Sequence, residues 1–218
     1  MKLNNKRTIL VGLAFLSICA FWQMYDSIVP LILTKTFHMN ETFSGAIMAA
    51  DNILALFLLP FFGSLSDKSH SKLGKRMPFI LFGTGCAIIL MNILPLLDNS
   101  YAAQPSGFKT ASFVIVLGLL LVAMGTYRSP AVALMPDVTP KPLRSRANAI
   151  INLMGAVGGI LYLGVAAVLY PNSKTAGVEH VNYQPLFIVV SAIMFIAVAV
   201  LFLTIKEPKL TAENQALE

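Results

Sequence analysis

Six long apolar segments divide this chain of 218 residues. A helix needs about 20 mostly apolar residues to cross the hydrocarbon core of a bilayer. We therefore expect six spanning helices, over residues 8–33, 44–65, 78–97, 111–135, 147–170 and 186–205. The segments are continuous and lack the alternation of apolar and polar residues that marks a membrane β-barrel. The predicted fold class is an all-α membrane protein, a single bundle of six transmembrane helices.

The composition indicates that lipid is part of the solvent. Hydrophobic residues make up 56% of the chain and charged residues only 12%, whereas a soluble domain carries about 25% charged residues. Cys19 and Cys86 both lie inside apolar segments, which argues against a disulfide framework or a metal site. The formal net charge is +6, but the basic residues lie between the apolar segments, so we expect no nucleic-acid binding.

The lysines and arginines between the spans predict the orientation of the chain. The side that holds the N-terminus carries twelve of them: Lys2, Lys6, Arg7, Lys68, Lys72, Lys75, Arg76, Lys141, Arg144, Arg146, Lys206 and Lys209. The opposite side carries three: Lys35, Lys109 and Lys174. Basic residues accumulate in the cytoplasmic loops of membrane proteins, so we expect both termini to be cytoplasmic. The first apolar segment exceeds the roughly 7–15 residues of a signal peptide, and we interpret it as an uncleaved helix.

Three ionisable residues, Asp26, Asp51 and Arg128, lie inside the predicted spans. Each costs about 2.5–3.5 kcal/mol near the centre of a membrane helix, so such residues usually face the bundle interior or a wet cavity. At a rise of about 1.5 Å per residue, Arg128 lies closer in depth to Asp51 than to Asp26, so we expect it to reach toward Asp51. The functional interpretation is substrate binding and proton or cation coupling, with Asp51 and Asp26 as coupling groups. The alternative is a structural ion pair between helices.

Polar and aromatic residues in the first and fifth spans suggest a sugar site. Trp22, Gln23, Tyr25 and Asp26 fall within about one turn, and aromatic rings beside hydrogen-bonding groups suit a sugar; the alternative is the interfacial aromatic belt. In the fifth span, one helical stripe joins Asn148, Asn152, Gly155, Gly159 and Tyr162. We expect this stripe to face protein or a cavity, and its glycines to permit close helix packing. The predicted substrate-binding residues are Trp22, Gln23, Tyr25, Asp26, Asn52, Arg128, Asn148 and Asn152.

The sequence offers no catalytic constellation. His38, His70 and His180 all fall in predicted loops, where we expect them to be solvated. A phosphate-binding loop and the metal-binding motifs of enzymes are missing from the sequence. We therefore expect neither an enzyme nor a bound cofactor.

The segment after the second span reads GSLSDKSHSKLGKRMPFI over residues 63–80. It resembles the helix 2–3 signature of the major facilitator superfamily, in the lengthened form found in sucrose-type and glycoside–pentoside–hexuronide transporters. The resemblance implies a gating role for the small and charged residues of the motif: Gly63, Asp67, Lys68, Gly74, Lys75 and Arg76. Basic residues here also suit the anionic cytoplasmic lipid surface.

A second block, over residues 127–149, resembles the helix 4–5 region of the same branch. One position departs from the pattern, because plant sucrose transporters carry an arginine where this chain has Val132. Arg128 lies four residues earlier, on nearly the same helix face. Overall, the chain is similar to bacterial members of the branch, which implies a bacterial plasma membrane as its location.

The resemblance implies that the chain is the N-terminal six-helix half of an alternating-access transporter. Its last residues, 206–218, resemble the start of a central linker or form a cytoplasmic tail. A transporter of this kind needs two repeats, so we expect a second six-helix half or a homo-oligomer as partner. Three readings remain open: a proton-coupled sugar symporter, an exporter of drugs or metabolites, and a truncated membrane protein that does not transport.

Overall fold

The computed structural model describes residues 3–216. Its long helices are α1 (Asn5–Leu31), α2 (Glu41–Asp67), α3 (Met77–Ala103), α4 (Gly107–Asp137), α5 (Arg144–Leu169) and α6 (Gln184–Thr204). All six are long and apolar enough to cross a membrane, which confirms the predicted fold class. A π-helical segment (Ile32–Thr36) extends α1, a single turn (Asn172–Thr175) follows α5, and a shorter helix, α7 (Glu207–Gln215), follows α6.

The helices run alternately up and down, so the bundle has two ends. We call the end that holds the start of α1, the α2–α3 loop and α7 the basal end. The distal end holds the α1–α2, α3–α4 and α5–α6 loops. Each predicted span falls on one helix, and the largest difference is at the distal end of α3. The polar residues 98–100 predicted a loop after residue 97, but the helix continues to Ala103 because Asp98 packs into the protein interior.

The packing places α1 at the centre of the bundle, against α5 and α6, while α3 packs on α4 and α6 and α2 packs on α4. The closest approach joins α1 and α5 at Gly158. A Cβ atom at Gly158 would lie 2.0 Å from the carbonyl oxygen of Leu16. A second link is polar, because Asn92 on α3 donates a hydrogen bond to Ser191 on α6. The first of these contacts joins two helices that carry candidate site residues, and the second holds α6 on α3.

One side of the bundle leaves large apolar side chains uncovered by protein. Within residues 3–216, α2 buries only Ser44 and Ser66. Its exposed apolar side chains include Phe43, Ile53, Leu56, Phe57 and Phe61. This face is therefore available to lipid or to a further set of helices.

Candidate functional site

Two of the three charged residues predicted inside the spans, Asp51 and Arg128, meet at one small cavity, whereas Asp26 lies outside it. Trp22 of α1, Asp51 of α2 and Arg128 of α4 line it together with apolar residues: Leu54, Ala55, Leu58, Leu59, Leu121 and Gly125. Its volume is about 20 Å³, which is room for about one water molecule. The cavity therefore joins three helices around groups that favour polar ligands.

The neighbours of Arg128 fix the direction in which it points. The Tyr127 hydroxyl lies 2.6 Å from the Ser17 hydroxyl and donates a hydrogen bond to the carbonyl oxygen of Ala14, 3.1 Å away. Ser129 donates a hydrogen bond to the carbonyl oxygen of Leu59 on α2 at 2.7 Å. Because one neighbour is tied to α1 and the other to α2, Arg128 lies over the groove between these two helices.

Arg128 packs on an aromatic ring in this groove. Its guanidinium carbon lies 5.6 Å from the centroid of the Trp22 ring, a distance at which a cation–π interaction contributes about 0.5–2 kcal/mol. The carboxylate of Asp51 instead accepts a hydrogen bond from the side chain of Asn52 at 2.7 Å. Arg128 and Asp51 thus line the same cavity as expected, although no ion pair joins them in the described part of the chain.

The remaining candidates on α1 divide between buried and exposed positions. Tyr25 is buried, Gln23 is half-buried beside Gly159 of α5, and Asp26 is exposed. Within residues 3–216, the indole nitrogen of Trp22 and the hydroxyl of Tyr25 are enclosed without a hydrogen-bond partner. Trp22 also lines the cavity, so its indole N–H is an unsatisfied donor at that site.

The stripe predicted on α5 separates into a packed part and an exposed part. Gly155 and Tyr162 are buried, and a Cβ atom at Gly155 would lie 2.9 Å from the sulfur of Cys19 on α1. Asn148 and Asn152 are exposed. Close packing between α1 and α5 involves Gly155 and Gly158, rather than the predicted pair of Gly155 and Gly159.

Residues of the predicted gating motif form a second site at the basal end. We call it the basal cluster, and it comprises Gly63, Asp67 and Arg76 of the motif together with Asp137 of α4. Its centre is Arg76, which is 6% exposed. Arg76 donates a hydrogen bond to Asp137 at 2.8 Å, forms an ion pair with Asp67, and donates to the carbonyl oxygen of Gly63 at 3.3 Å. The cluster therefore ties the α2–α3 loop to the basal ends of α2 and α4.

The charges around Arg76 keep it protonated. Burial by itself lowers the pKa of Arg76, but the hydrogen bond and negative charge of Asp137 and the charge of Asp67 outweigh burial and raise that pKa above its ordinary value. The other basic residues of the motif differ, because the side chains of Lys68 and Lys75 are exposed. Charge and hydrogen bonding therefore concentrate on one arginine.

Sequence reasoning missed Glu207, which completes the basal cluster from the start of α7. Its carboxylate accepts hydrogen bonds from the backbone N–H groups of Lys75 at 2.7 Å, Arg76 at 2.9 Å and Met77 at 2.8 Å. Gly74 has a φ of +113°, and a Cβ atom there would lie 2.4 Å from this carboxylate. The sequence signal was a glutamate followed by proline, a pattern typical of a helix start.

The prediction that His180 is solvated is wrong. Its ring nitrogens lie 2.8 Å from the side-chain oxygen of Asn99 and 3.3 Å from the hydroxyl of Thr36. Its Nε2 also lies 3.9 Å from a carboxylate oxygen of Asp98, a residue that the sequence placed outside the spans. His38 and His70 are exposed, as expected. The α5–α6 loop folds back onto the bundle, which loop composition alone does not indicate.

Comparison with known proteins supports the resemblance in the motifs. Sucrose transport protein SUC3 of Arabidopsis thaliana is 35% identical over 158 residues, which are 67% of this chain and 26% of that protein. Sucrose transport protein SUT3 of Oryza sativa subsp. indica is 36% identical over 154 residues, 64% of this chain and 30% of that protein. Alpha-ketoglutarate permease of Escherichia coli (strain K12) is 26% identical over 179 residues, 81% of this chain and 38% of that protein.

The chain thus spans between about a quarter and two fifths of the length of these relatives. The family model described as Major Facilitator Superfamily matches residues 11–218, nearly the whole chain. Six helices over this length agree with one half of that fold. The chain therefore belongs to the Major Facilitator Superfamily.

Proposed function

We propose that this chain forms one half of a secondary active transporter that moves a sugar or glycoside across the membrane by alternating access. The observation that carries the proposal is the arrangement of Arg128 over the Trp22 ring, beside Asp51, at a cavity shared by α1, α2 and α4. Charged residues in a span are costly and usually serve a substrate or ion pathway. Family membership supports transport rather than catalysis.

The residues around this cavity suit a sugar, which needs a wider opening than the roughly 20 Å³ of the present arrangement. A pyranose ring has apolar faces that pack on an aromatic ring, and its hydroxyl groups accept and donate hydrogen bonds. The unpartnered N–H of Trp22 and hydroxyl of Tyr25 supply donors, and Arg128 supplies a cation. Gln23, Asp26, Asn52, Asn148 and Asn152 complete the proposed lining from α1, α2 and α5. The sucrose transport proteins among the relatives support the same substrate class.

We propose a proton as the coupling ion and Asp51 as its carrier. Asp51 is half-buried and lies next to Arg128 at the cavity, so gain or loss of its proton changes the charge that the substrate meets. Asp26 is the second proposed coupling group. The basal cluster then acts as the gate. The charged residues of the motif, Asp67, Lys68, Lys75 and Arg76, change their ion-pair and hydrogen-bond partners as the two halves move, and Gly63 and Gly74 allow the close approach of the backbone there.

The proposed partner is a second six-helix unit, which covers the exposed face of α2. Alternating access requires two repeats that move against each other. The excess of basic residues at the basal end supports cytoplasmic termini, and we place the protein in the plasma membrane of a bacterium. The second unit is either the remainder of a longer protein, a separate chain or a second copy.

Reconstitution into liposomes tests this proposal. The chain is reconstituted alone and with a second six-helix unit, and uptake is measured for sucrose, other glycosides, pentoses, hexuronides and alpha-ketoglutarate with a pH-sensitive dye inside. We expect sugar-dependent proton movement that requires the second unit. An Asp51→Asn variant is expected to lose proton movement while it still inserts. Sugar transport without proton movement in the wild type would contradict proton coupling, and outward transport alone would favour an exporter.

Replacement of Arg128 tests the substrate site itself. We expect Arg128→Ala to lower sugar affinity at least about tenfold, or about 1.4 kcal/mol, because it removes the cation above the Trp22 ring. Arg128→Lys keeps the charge but not the planar guanidinium, and we expect an intermediate loss. Tritiated sugar binding in membranes measures both. Unchanged affinity in Arg128→Ala would assign Arg128 to packing between helices.

A further inference from the structure

Asp98 is a buried carboxylate near the distal end of α3. Its side chain is 0% exposed, and neither oxygen has a hydrogen-bond partner of ordinary geometry in the described part of the chain, although the Thr36 hydroxyl interacts with this carboxylate. Protein atoms alone enclose it, so its surroundings do not depend on the lipid. An ionised carboxylate in such a place is costly unless a positive charge or a bound proton compensates it.

His180 is positioned to provide that compensation. Its Nε2 lies 3.9 Å from Asp98 Oδ2 and 2.8 Å from Asn99 Oδ1, and its Nδ1 lies 3.3 Å from Thr36 Oγ1. Because the amide oxygen of Asn99 only accepts, Nε2 carries a hydrogen in this arrangement. The Thr36 hydroxyl can donate to Nδ1 in the neutral ring or accept from it in the imidazolium, so the geometry accommodates both charge states of His180.

Other titratable groups lie around the pair but farther from Asp98. Lys35, His38 and Glu179 line an adjoining distal cavity of about 650 Å³ together with His180. Tyr183 follows on the same loop, and Lys109 of α4 donates to the carbonyl oxygens of Ser100 and Gln104. Among the described residues, His180 is the one basic side chain within 4.0 Å of Asp98. The cavity gives protons a route from the distal surface to His180.

We propose that Asp98 and His180 together bind one proton and form a pH-dependent latch at the distal end of the bundle. With the proton bound, the charges of the pair compensate each other, and His180 fastens the α5–α6 loop to α3 and to the end of α1. When the proton leaves at higher pH, a single negative charge remains buried, and its cost favours a state in which the loop moves away and water reaches Asp98.

Histidine NMR on the purified chain tests the shared proton directly. The chain has three histidines, so each titration curve is assigned by one replacement. We expect Asp98→Asn to lower the proton affinity of His180 at least about tenfold, because it removes the nearby negative charge, and to leave His38 and His70 unchanged. Glu179→Gln, a charge change beside the same cavity, is the matched control and is expected to have a much smaller effect. Equal His180 titration in the wild type and Asp98→Asn would overturn the proposal.

Hydrogen exchange of the loop amides tests the latch, and it remains decisive if Asp98→Asn fails to fold. In the wild type we expect the amides of residues 176–183 to exchange at least several-fold faster above the titration of His180 than below it, after correction for intrinsic rates. In His180→Asn we expect fast exchange at every pH, whereas His38→Asn should keep the wild-type profile. Corrected exchange that does not vary with pH in the wild type would refute the latch.

Discussion

Glu207 shows how much structure a single carboxylate can organise. It accepts hydrogen bonds from three consecutive backbone N–H groups at the start of α3, about 130 positions earlier in the chain. These N–H groups have no partner within a helix, and the positive end of the helix dipole favours an anion there. Glu207 therefore caps α3 and at the same time holds α7 against the basal end.

Replacement of Glu207 is expected to destabilise the basal end. Glu207→Ala leaves three backbone donors without an acceptor, and we expect a loss of roughly 2–3 kcal/mol in the free energy of unfolding. Glu207→Gln keeps one acceptor oxygen and should lose about half as much. Thermal unfolding in detergent, with Tm as the readout, measures both. Glu213→Ala is the control, since Glu213 is exposed and makes only an ion pair with Lys209 at 3.9 Å. Equal losses of unfolding free energy in the two alanine variants would contradict the capping role.

At the scale of whole helices, the contact between α1 and α5 depends on the absence of side-chain atoms. At Gly158 the two backbones approach so closely that a single methyl group would overlap the carbonyl group of Leu16. A rigid backbone cannot move aside as a flexible side chain can. Because α1 carries Trp22, this contact also helps to hold the helix that lines the candidate cavity.

Two alanine substitutions in α5 test this contact against helix propensity. Gly158→Ala is expected to lower Tm and to cost at least about 2 kcal/mol, because it forces α1 and α5 apart. Gly164→Ala lies in the same helix with nothing within 4 Å of its added Cβ atom, so its effect should be neutral or stabilising by up to about 1 kcal/mol. Similar effects of both substitutions would contradict the close contact.

At the scale of the whole molecule, the two ends of the bundle differ in charge. The basal end contains the larger share of the basic residues and the basal cluster around Arg76. The distal end has fewer basic residues and contains the buried Asp98 beside the half-buried His180. We propose that this asymmetry orients the bundle in the membrane, with the basal end on the cytoplasmic side.

Single-cysteine labelling tests the orientation. In a background without Cys19 and Cys86, we introduce His70→Cys at the basal end and Ser106→Cys at the distal end, both exposed positions. A maleimide that cannot cross membranes is expected to label Ser106→Cys in intact cells, and His70→Cys only after the cells are permeabilised. Labelling of His70→Cys in intact cells would reverse the predicted topology.

Local properties of the sequence predicted the spans and the candidate functional residues within them. Helix existence depends on length and apolarity, which can be counted along the chain, and all six spans fall on helices. The cost of a charge in lipid likewise singled out Asp51 and Arg128, which line one cavity. The motif over residues 63–80 resembled the signature of the family whose model matches residues 11–218.

Only the tertiary structure decided which groups meet. Trp22 rather than Asp51 lies under Arg128, because Tyr127 and Ser129 tie α4 to two different helices. Glu207 reaches α3, and His180 reaches Asp98, through loops that fold back over the bundle ends. A sequence determines how each segment partitions between lipid and water, since the transfer free energy of a segment is a sum over its own residues. Which side chains come together depends on how helices rotate and pack, and that depends on contacts between residues far apart in the chain.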